Sequence, residues 1–504
     1  MSSDHVELGE LTSRHVSSST SLVGAEYQEQ EDAQEEVGDG EELGEEDGEN
    51  LSAIPAHEAT GTIVSSTVNL ANSIIGAGVL SLPLLFKDNG AGMMIFLLVV
   101  GAVLSAVSLQ LLVYVGHLLR IPSYEEIAFV LFGKYGRLWI VISMIIINLG
   151  ACTAYTYVMT DVLEQDLQSF VSKDVADTIF SRAGIMTMLS VFVLWPLACL
   201  RRMNSLRFTS YLSMAIIVFF LFALIAECSM KGGEPDADSS GTNGQENDGG
   251  KRSGSFHAGF SGDGITLFVA IPVISFAYTC HSNLYPIQFE LKQSSPGKMA
   301  WVISMGSILC FVVYSVIGFC AYYLYWDNTS ADVLVNMGKS GQDMFKAVRL
   351  VYVVSLATTY PFSSFPMRSA IDELFWAGKP SSAKRSLRLS TAIVAVVLLI
   401  TLFVPSLTIV YSIAGAIAST SVCYILPPLM FLKTHGGYPQ ISRWAFWQKL
   451  EDVGERSFHV SGRIVPMLAK KDFPYMRMVS IALFPLGIML SIISTVVLII
   501  FGDG

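Results

Sequence analysis

The sequence predicts an all-α integral membrane protein of about eleven transmembrane helices, and two properties of its 504 residues indicate this fold class. Hydrophobic residues make up 52% of the chain and charged residues only 15%, whereas soluble proteins are about 25% charged. The apolar residues also form long runs, and about 20 such residues are needed for a helix to cross a bilayer. The lipid bilayer is therefore expected to contact most of the chain.

The acidic residues are concentrated near the amino terminus. Residues 1–58 contain 17 Asp and Glu but a single Arg, whereas the rest of the chain has a small excess of bases. A segment so rich in Glu, Ser and Gly buries too little apolar surface to offset its ordering entropy, so we predict a disordered cytosolic tail. The tail is a candidate for binding a regulatory partner. The excess acid gives no case for nucleic acid as a partner.

Eleven apolar runs follow the tail and form one predicted transmembrane domain, residues 59–504. The predicted spans are 60–86, 92–116, 138–162, 184–200, 207–227, 264–290, 299–325, 342–364, 387–404, 407–432 and 476–501. The loops on one side of these spans carry 21 Lys and Arg, and those on the other side carry 8. Because cytosolic loops are enriched in Lys and Arg, this bias predicts a cytosolic amino terminus. The glycosylation sequon that begins at Asn328 then falls on the non-cytosolic side.

The first ten spans divide into two blocks of almost equal length. Spans 1–5 cover 60–227 and spans 6–10 cover 264–432, with the polar loop 228–262 between them and the extra helix 476–501 after them. Each block opens with a helix that is interrupted by Gly or Pro. Two five-helix blocks entering from opposite faces form an inverted repeat, which is typical of secondary transporters.

Span 1 carries a polar face that leads to a glycine pair. Asn69, Asn72, Ser73 and Gly76 are spaced so that they share one side of a helix. Two glycines close together favour a helix break, where unpaired amide N–H groups can bind a carboxylate; the alternative is that they only allow close helix packing. The candidate substrate-binding residues here are Asn72, Ser73, Gly76, Ala77 and Gly78.

Span 6 holds a second polar cluster inside an apolar run, FAYTCHSNLYPIQFEL, with Pro272 upstream. A second discontinuous helix would expose carbonyl groups to an ammonium group or a cation. The alternative is a proline-kinked helix with internally bonded hydroxyls. The candidate substrate-binding residues of this span are Tyr278, Thr279 and His281.

Span 8 offers hydroxyl groups that suit a metal cation. Ser355 and Thr359 lie one turn apart, and Thr358 adjoins them. Oxygen ligands of this kind suit a hard cation such as sodium, although Ser and Thr can also bond back to their own helix. The competing coupling ion is a proton carried by His281, whose side chain titrates near neutral pH.

No Asp, Glu, Lys or Arg lies near the middle of any predicted span. A substrate with a charged side chain would therefore lack a buried counter-charge. A zwitterion with a neutral side chain can be held by helix ends alone. The sequence shows no nucleophile–base set and no metal-binding cluster, so we expect neither an enzyme nor a cofactor beyond the coupling ion.

Three stretches resemble the amino acid/auxin permease family, and the branches they are most similar to are the sodium-coupled neutral amino acid transporters and the vacuolar amino acid transporters. The stretches are NLANSIIGAGVLSLP in span 1, FAYTCHSNLYPIQFEL in span 6 and GAIASTSVCYILPPLMFLK in span 10. The stretch LGACTAYTYVMTDVL in span 3 and the Thr-x-Pro of span 8 agree with the same family. The resemblance runs from about residue 60 to 501. It does not extend to the acidic tail.

The resemblance implies the leucine-transporter fold, with substrate held between the unwound parts of spans 1 and 6. It also implies a sodium site between Asn72 and the span 8 hydroxyls Thr359, Thr358 and Ser355, and Tyr155 of the span 3 stretch joins the candidate substrate-binding residues. The implied activity is symport of a small neutral amino acid with sodium, but vacuolar relatives exchange protons. The membrane is either vacuolar or lysosomal, or the plasma membrane. The alternative from another class is a nutrient sensor that binds an amino acid and signals through its tail.

Two cysteines near the non-cytosolic ends of spans, Cys228 and Cys320, are expected to form a disulfide. The other cysteines lie mostly inside apolar runs and show no metal-binding spacing, so we expect them to be buried as small apolar residues.

The topology can be tested with tags and membrane-impermeant labels. A tag in 228–262 and a glycan on Asn328 are expected to face away from the cytosol, and a tag in 365–388 is expected to face it, because the Lys and Arg bias fixes the orientation. Labelling that placed 228–262 in the cytosol would contradict the number of spans.

Overall fold

The computed structural model is all-helical over the residues that it describes, apart from one isolated backbone bridge between Gly61 and Leu291. The described residues are 61–119, 121, 123–168, 181–200, 206–230, 256–260, 264–339, 343–376, 382–404, 407–435 and 474–501. The predicted tail 1–58 and most of the loop 228–262 lie outside them.

Helices occur at the positions of all eleven predicted spans. In chain order they are Ile63–Ile74 with Leu82–Asn89, Ala91–Leu119, Tyr124–Gln168, Arg182–Ala198, Leu206–Met230, Gly264–Ala277 with Leu284–Glu290, Pro296–Tyr325, Asp343–Trp376, Ala383–Phe403, Leu407–Thr434 and Pro474–Phe501. Eight are long and apolar enough to cross a membrane singly, and the bent pair of span 1 makes a ninth. The other two are the shorter apolar helix of span 4 and the 34-residue helix of span 8, which carries several Ser, Thr and charged residues.

Both predicted helix breaks are present. The two halves of span 1 are bent by 53°, and the second half opens with a 3₁₀ turn, Ala77–Ser81. The first half of span 6 ends at Ala277, and a 3₁₀ turn, His281–Asn283, leads into its second half. The glycine pair and the polar cluster therefore mark the interruptions, as the sequence predicts.

Neighbouring spans bond the backbone carbonyls that the breaks release. The hydroxyl of Tyr314, on span 7, lies 2.7 Å from the carbonyl oxygen of Ile74 and 2.8 Å from that of Ala277. On span 2, the hydroxyl of Ser105 donates to the carbonyl oxygen of Tyr278 at 3.0 Å. Unsatisfied backbone groups are costly inside a membrane protein, so these side chains make the breaks possible.

A second link joins spans 1 and 6 at the predicted cytosolic face. The Gly61 amide donates to the Glu290 carbonyl oxygen at 2.9 Å, and the Lys292 amide donates to the Gly61 carbonyl oxygen at the same distance. About two turns into span 1, the Asn69 amide nitrogen lies 3.5 Å from Oε2 of Glu290. The chain entering span 1 is thereby tied to the chain leaving span 6.

The predicted disulfide between Cys228 and Cys320 is absent, because both cysteines are free thiols. The two cysteines are nevertheless neighbours, as the sequence predicts, because the Cys228 side chain interacts with that of Cys320. The other described cysteines are buried, except for the half-buried Cys199.

Span 10 contains two stretches of π-helix, Ala414–Ser419 and Ser421–Ile425, and the first of them packs against span 6. A Cβ atom added at Gly415 would overlap with the carbonyl oxygen of Pro272. Only glycine therefore allows the two backbones to approach so closely.

Replacing Gly415 with Ala is expected to destabilise the fold by roughly 1–3 kcal/mol, because an added methyl group in a filled core forces the backbones apart. The measurement is the thermal unfolding midpoint of the purified protein in detergent. Gly297→Ala is the matched control, because its Cβ would meet nothing within 4 Å. Equal midpoints for the two variants would contradict the close approach.

Candidate substrate and ion sites

A cavity lies between the broken parts of spans 1 and 6 and is closed on its other sides by spans 3, 8 and 10. The lining residues are Ser73, Ile74, Gly76 and Gly78 of span 1; Ile147, Asn148, Ala151, Ala154 and Tyr155 of span 3; Phe276, Ala277, Thr279, Ser282 and Asn283 of span 6; Ser363 of span 8; and Tyr411 of span 10. None of these side chains carries a charge. The lining also contains alanine and glycine residues and the aromatic rings of Tyr155, Phe276 and Tyr411.

The structure brings five of the predicted substrate-binding residues to this cavity, namely Ser73, Gly76, Gly78, Tyr155 and Thr279. Gly76 and Tyr155 lie closest together, since a Cβ added at Gly76 would lie 2.8 Å from the Tyr155 hydroxyl oxygen. Ser363 of span 8 lines the same cavity. The break in span 1 is therefore packed directly against span 3.

The remaining predicted substrate-binding residues lie elsewhere. His281 is fully buried, with Nε2 at 3.0 Å from the Ser108 hydroxyl and Nδ1 at 3.3 Å from the Cys423 sulfur. The Tyr278 ring packs edge-on against Tyr314. Neither side chain lines the cavity. Ala77 begins the 3₁₀ turn of span 1, and Asn72 belongs to a different cluster, described below.

Four polar residues line the cavity that were not among the predicted site residues. They are Asn148, Ser282, Asn283 and Ser363. Asn148 precedes Tyr155 by two helical turns and so shares its face, and Ser363 follows Thr359 by one turn. Helical spacing from the residues already chosen would have identified both. Ser282 and Asn283 lie in the 3₁₀ turn of span 6, where helical spacing gives no guide.

A second group of polar side chains connects spans 5 and 8. The Ser213 hydroxyl oxygen lies 2.7 Å from that of Ser355 and 3.3 Å from that of Thr359. The hydroxyls of Thr358 and Thr359 both donate to the carbonyl oxygen of Ser355, at 2.9 and 2.8 Å. The three predicted span 8 hydroxyls are thus close together, and span 5 adds Ser213.

Asn72 connects span 1 to this group through span 5. Its amide nitrogen lies 3.4 Å from the hydroxyl of Ser210, one turn before Ser213. Its amide oxygen is buried and, within the described part of the chain, has no hydrogen-bond partner. An unpartnered buried oxygen is costly, so this atom is suited to a ligand that contributes positive charge. Two serines one turn apart near the start of span 5 are the sequence signal that was missed.

Comparison with known proteins agrees with this architecture. The family profile described as "Transmembrane amino acid transporter protein" matches residues 59–452. Among curated proteins, the chain is 29% identical over 382 residues to amino acid transporter AVT6E of Arabidopsis thaliana, covering 74% of this chain and 76% of the relative. It is also 29% identical over 401 residues to amino acid transporter AVT6A of the same plant, covering 75% of this chain and 82% of the relative.

Among solved structures, the chain is similar to the transporter MhsT, crystallised in complex with L-phenylalanine. The TM-score is 0.51 at 11% sequence identity, covering 85% of this chain and 98% of MhsT. This likeness confirms the predicted leucine-transporter-like fold with its broken spans 1 and 6. The match of the family profile to most of the chain shows that this multi-pass membrane protein belongs to the transmembrane amino acid transporter family.

Proposed function

We propose that this protein is a secondary active transporter that moves small neutral amino acids together with a cation by alternating access. The observation that carries the proposal is the uncharged cavity between the two helix breaks. A charged substrate side chain would enter this cavity without a partner, and that is unfavourable in a low-dielectric site. The rings of Tyr155, Phe276 and Tyr411 restrict the space in the cavity, which favours a small side chain.

The polar groups of the cavity suit the two charged ends of an amino acid. The Ser73 hydroxyl donates to the Asn69 carbonyl oxygen at 3.0 Å, and the Thr279 hydroxyl donates to the Ser275 carbonyl oxygen at 2.6 Å. Because their protons are engaged, these hydroxyls offer the cavity their oxygen lone pairs, which can accept from an ammonium group. The amide N–H groups at the start of the second half of span 1, near Gly78, are the complementary donors for a carboxylate.

The position of the polar lining supports access from the predicted cytosolic side. Ser73, Asn148, Ser282 and Ser363 come from the predicted cytosolic halves of their spans, whereas Tyr411 lies near the opposite end of span 10. In this arrangement aromatic side chains cover the cavity on the non-cytosolic side. We infer a cytosol-facing or occluded state of an alternating-access cycle.

Sodium is the coupling ion that we favour. The unpartnered amide oxygen of Asn72 and the hydroxyls of Ser213, Ser355 and Thr359 form a neutral set of oxygens shared by spans 1, 5 and 8. Oxygen atoms are the ligands that hard cations prefer. The competing proton carrier, His281, is bonded within the protein and contacts spans 2 and 10.

The decisive experiment uses purified protein in vesicles with a panel of labelled neutral amino acids. Sodium and pH gradients are imposed separately. Binding without flux would favour the nutrient sensor over the transporter. Immunofluorescence of the full chain would distinguish a vacuolar or lysosomal membrane from the plasma membrane, and pull-down with the 1–58 tail would test for a regulatory partner.

Replacing Gly76 with Val is expected to abolish uptake while leaving membrane insertion intact, because the new side chain would collide with Tyr155 at the break. The smaller change Gly76→Ala is expected to reduce uptake, and Tyr155→Phe in the same chain is expected to restore part of it by removing the colliding hydroxyl. Tyr155→Phe alone and Gly264→Val are the controls, since Gly264 faces open space. Normal uptake by Gly76→Val would remove span 1 from the substrate site.

Replacing Thr359 or Ser213 with Ala is expected to raise the apparent KM for sodium about tenfold or more, because a contact to a charged group contributes about 1.5–3 kcal/mol. The measurement is initial uptake rate against sodium concentration at fixed pH. His281→Asn is expected to leave the ion dependence unchanged. The reverse pattern, mild hydroxyl variants and a flattened pH profile for His281→Asn, would argue against sodium and favour the proton as the coupling ion.

A further inference from the structure

A short helix lies over the break in span 1 on the predicted non-cytosolic side. This covering helix, Val333–Lys339, follows span 7 and packs against spans 3 and 8 and against the 3₁₀ turn Ala77–Ser81. Three side chains of the covering helix are fully buried, namely those of Val333, Leu334 and Met337. The covering helix therefore closes the route from that side to the cavity.

Asp332 directly precedes the covering helix, and its side chain is almost fully buried, at 4% exposure. Its Oδ1 atom accepts a hydrogen bond from the Leu334 amide at 2.9 Å. Its Oδ2 atom is buried and has no hydrogen-bond partner among the residues that the structure describes. A buried carboxylate with an unpartnered oxygen is unfavourable when charged, and a proton on Oδ2 would remove the charge.

The one cation near this carboxylate in the described residues is already engaged elsewhere. Arg349 is 1% exposed, and its guanidinium forms an ion pair with Asp166 at 2.9 Å and a hydrogen bond with Gln165 at 2.8 Å. It attracts Asp332 electrostatically, but it is balanced by Asp166. A Cβ added at Gly338 would overlap with the same guanidinium, so the covering helix rests directly on it.

Asp332 faces titratable groups from each neighbouring span. They are Tyr157 and Asp161 of span 3, Arg349 and Tyr352 of span 8 and Tyr411 of span 10, with Tyr325 of span 7 beside Arg349. The turn Ala77–Ser81 contributes none. Burial, and secondarily the charge of Asp161, raises the pKa of Asp332 from 3.8 to about 7, against the opposing effects of the Leu334 amide and Arg349.

We propose that Asp332 is a proton-binding site through which the pH of the non-cytosolic compartment controls docking of the covering helix over the cavity. The site is distinct from the substrate cavity and from the group of Asn72, Ser213, Ser355 and Thr359 that we propose for sodium. It adds a proton-sensitive step to the proposed transport cycle and rests on that proposed function only for its effect on flux. Tyr411, which lines the cavity, lies within electrostatic range of the site.

The direction of the effect follows from linkage. When the covering helix leaves its seat, Asp332 meets water and its pKa returns towards the ordinary value near 3.9. The docked state therefore binds the proton more tightly, and docking is favoured as pH falls from about 7 towards about 4. Above that window the buried charge opposes docking. An acidic non-cytosolic compartment would thus favour the closed, cytosol-facing state.

The first test measures amide hydrogen exchange of residues 334–339 in lipid nanodiscs between pH 5 and 8, corrected for intrinsic exchange rates. Protection in the unmodified protein is expected to fall by up to about tenfold per pH unit between pH 5 and 7. Asp332→Asn keeps the oxygen that accepts from Leu334 and should show high protection at every pH. Asp327→Asn, an exposed carboxylate on the same loop, should behave like the unmodified protein.

The second test measures uptake from the non-cytosolic side at fixed sodium over the same pH range. The unmodified protein and Asp332→Glu are expected to depend on pH, whereas Asp332→Asn is expected to lose that dependence. The same pH profile for Asp332→Asn and the unmodified protein would overturn the proposal. So would pH-independent protection of residues 334–339 in the unmodified protein, a result that needs no variant to fold. The exchange arm requires no transport, so it distinguishes failure of this site from failure of the proposed function.

Discussion

The rest of the site depends on one phenol group. Two spans are broken inside a membrane protein, and each break releases carbonyl groups that water cannot reach freely. The Tyr314 hydroxyl lies within 2.8 Å of one such carbonyl from each broken span, Ile74 and Ala277. Because a phenol has a single proton, the Tyr314 hydroxyl donates to one carbonyl at a time and can alternate between the two. The breaks are thereby held opposite each other, and the space between them becomes the cavity.

This arrangement changes how the cavity can recognise a zwitterion. The polar cluster of span 6 predicts free carbonyls for an ammonium group, but the Tyr278 carbonyl accepts a hydrogen bond from Ser105 of span 2. The carbonyls of Ile74 and Ala277 share the single proton of the Tyr314 hydroxyl on span 7. Side-chain oxygens such as those of Ser73 and Thr279 are the acceptors that remain facing the cavity. In the proposed transporter, side chains would therefore recognise the positive end of the substrate, and the backbone would recognise the negative end.

Much of the fold could be predicted from the sequence because membrane insertion imposes long apolar runs, and because Gly76, Gly78 and Pro272 weaken a helix wherever they stand. The site was less predictable for a physical reason. Helical spacing relates residues only within an unbroken helix. The directions in which the side chains of Tyr278 and His281 point could therefore not be derived across the break and the 3₁₀ turn of span 6. The role of Ser213 depends on its contacts with span 8, which periodicity within span 5 does not reveal.

The separation of the two proposed ion sites affects how pH dependence should be interpreted. The Asn72 amide nitrogen contacts Ser210 of span 5, and Ser213 of span 5 contacts Thr359 of span 8, whereas Asp332 lies outside the spans at the covering helix. A proton at Asp332 would alter the balance between open and closed states without crossing the membrane with the substrate. Uptake could then rise in acid even though sodium supplies all of the driving force. Only the number of protons moved per substrate, and not the pH profile, identifies the coupling ion of such a transporter.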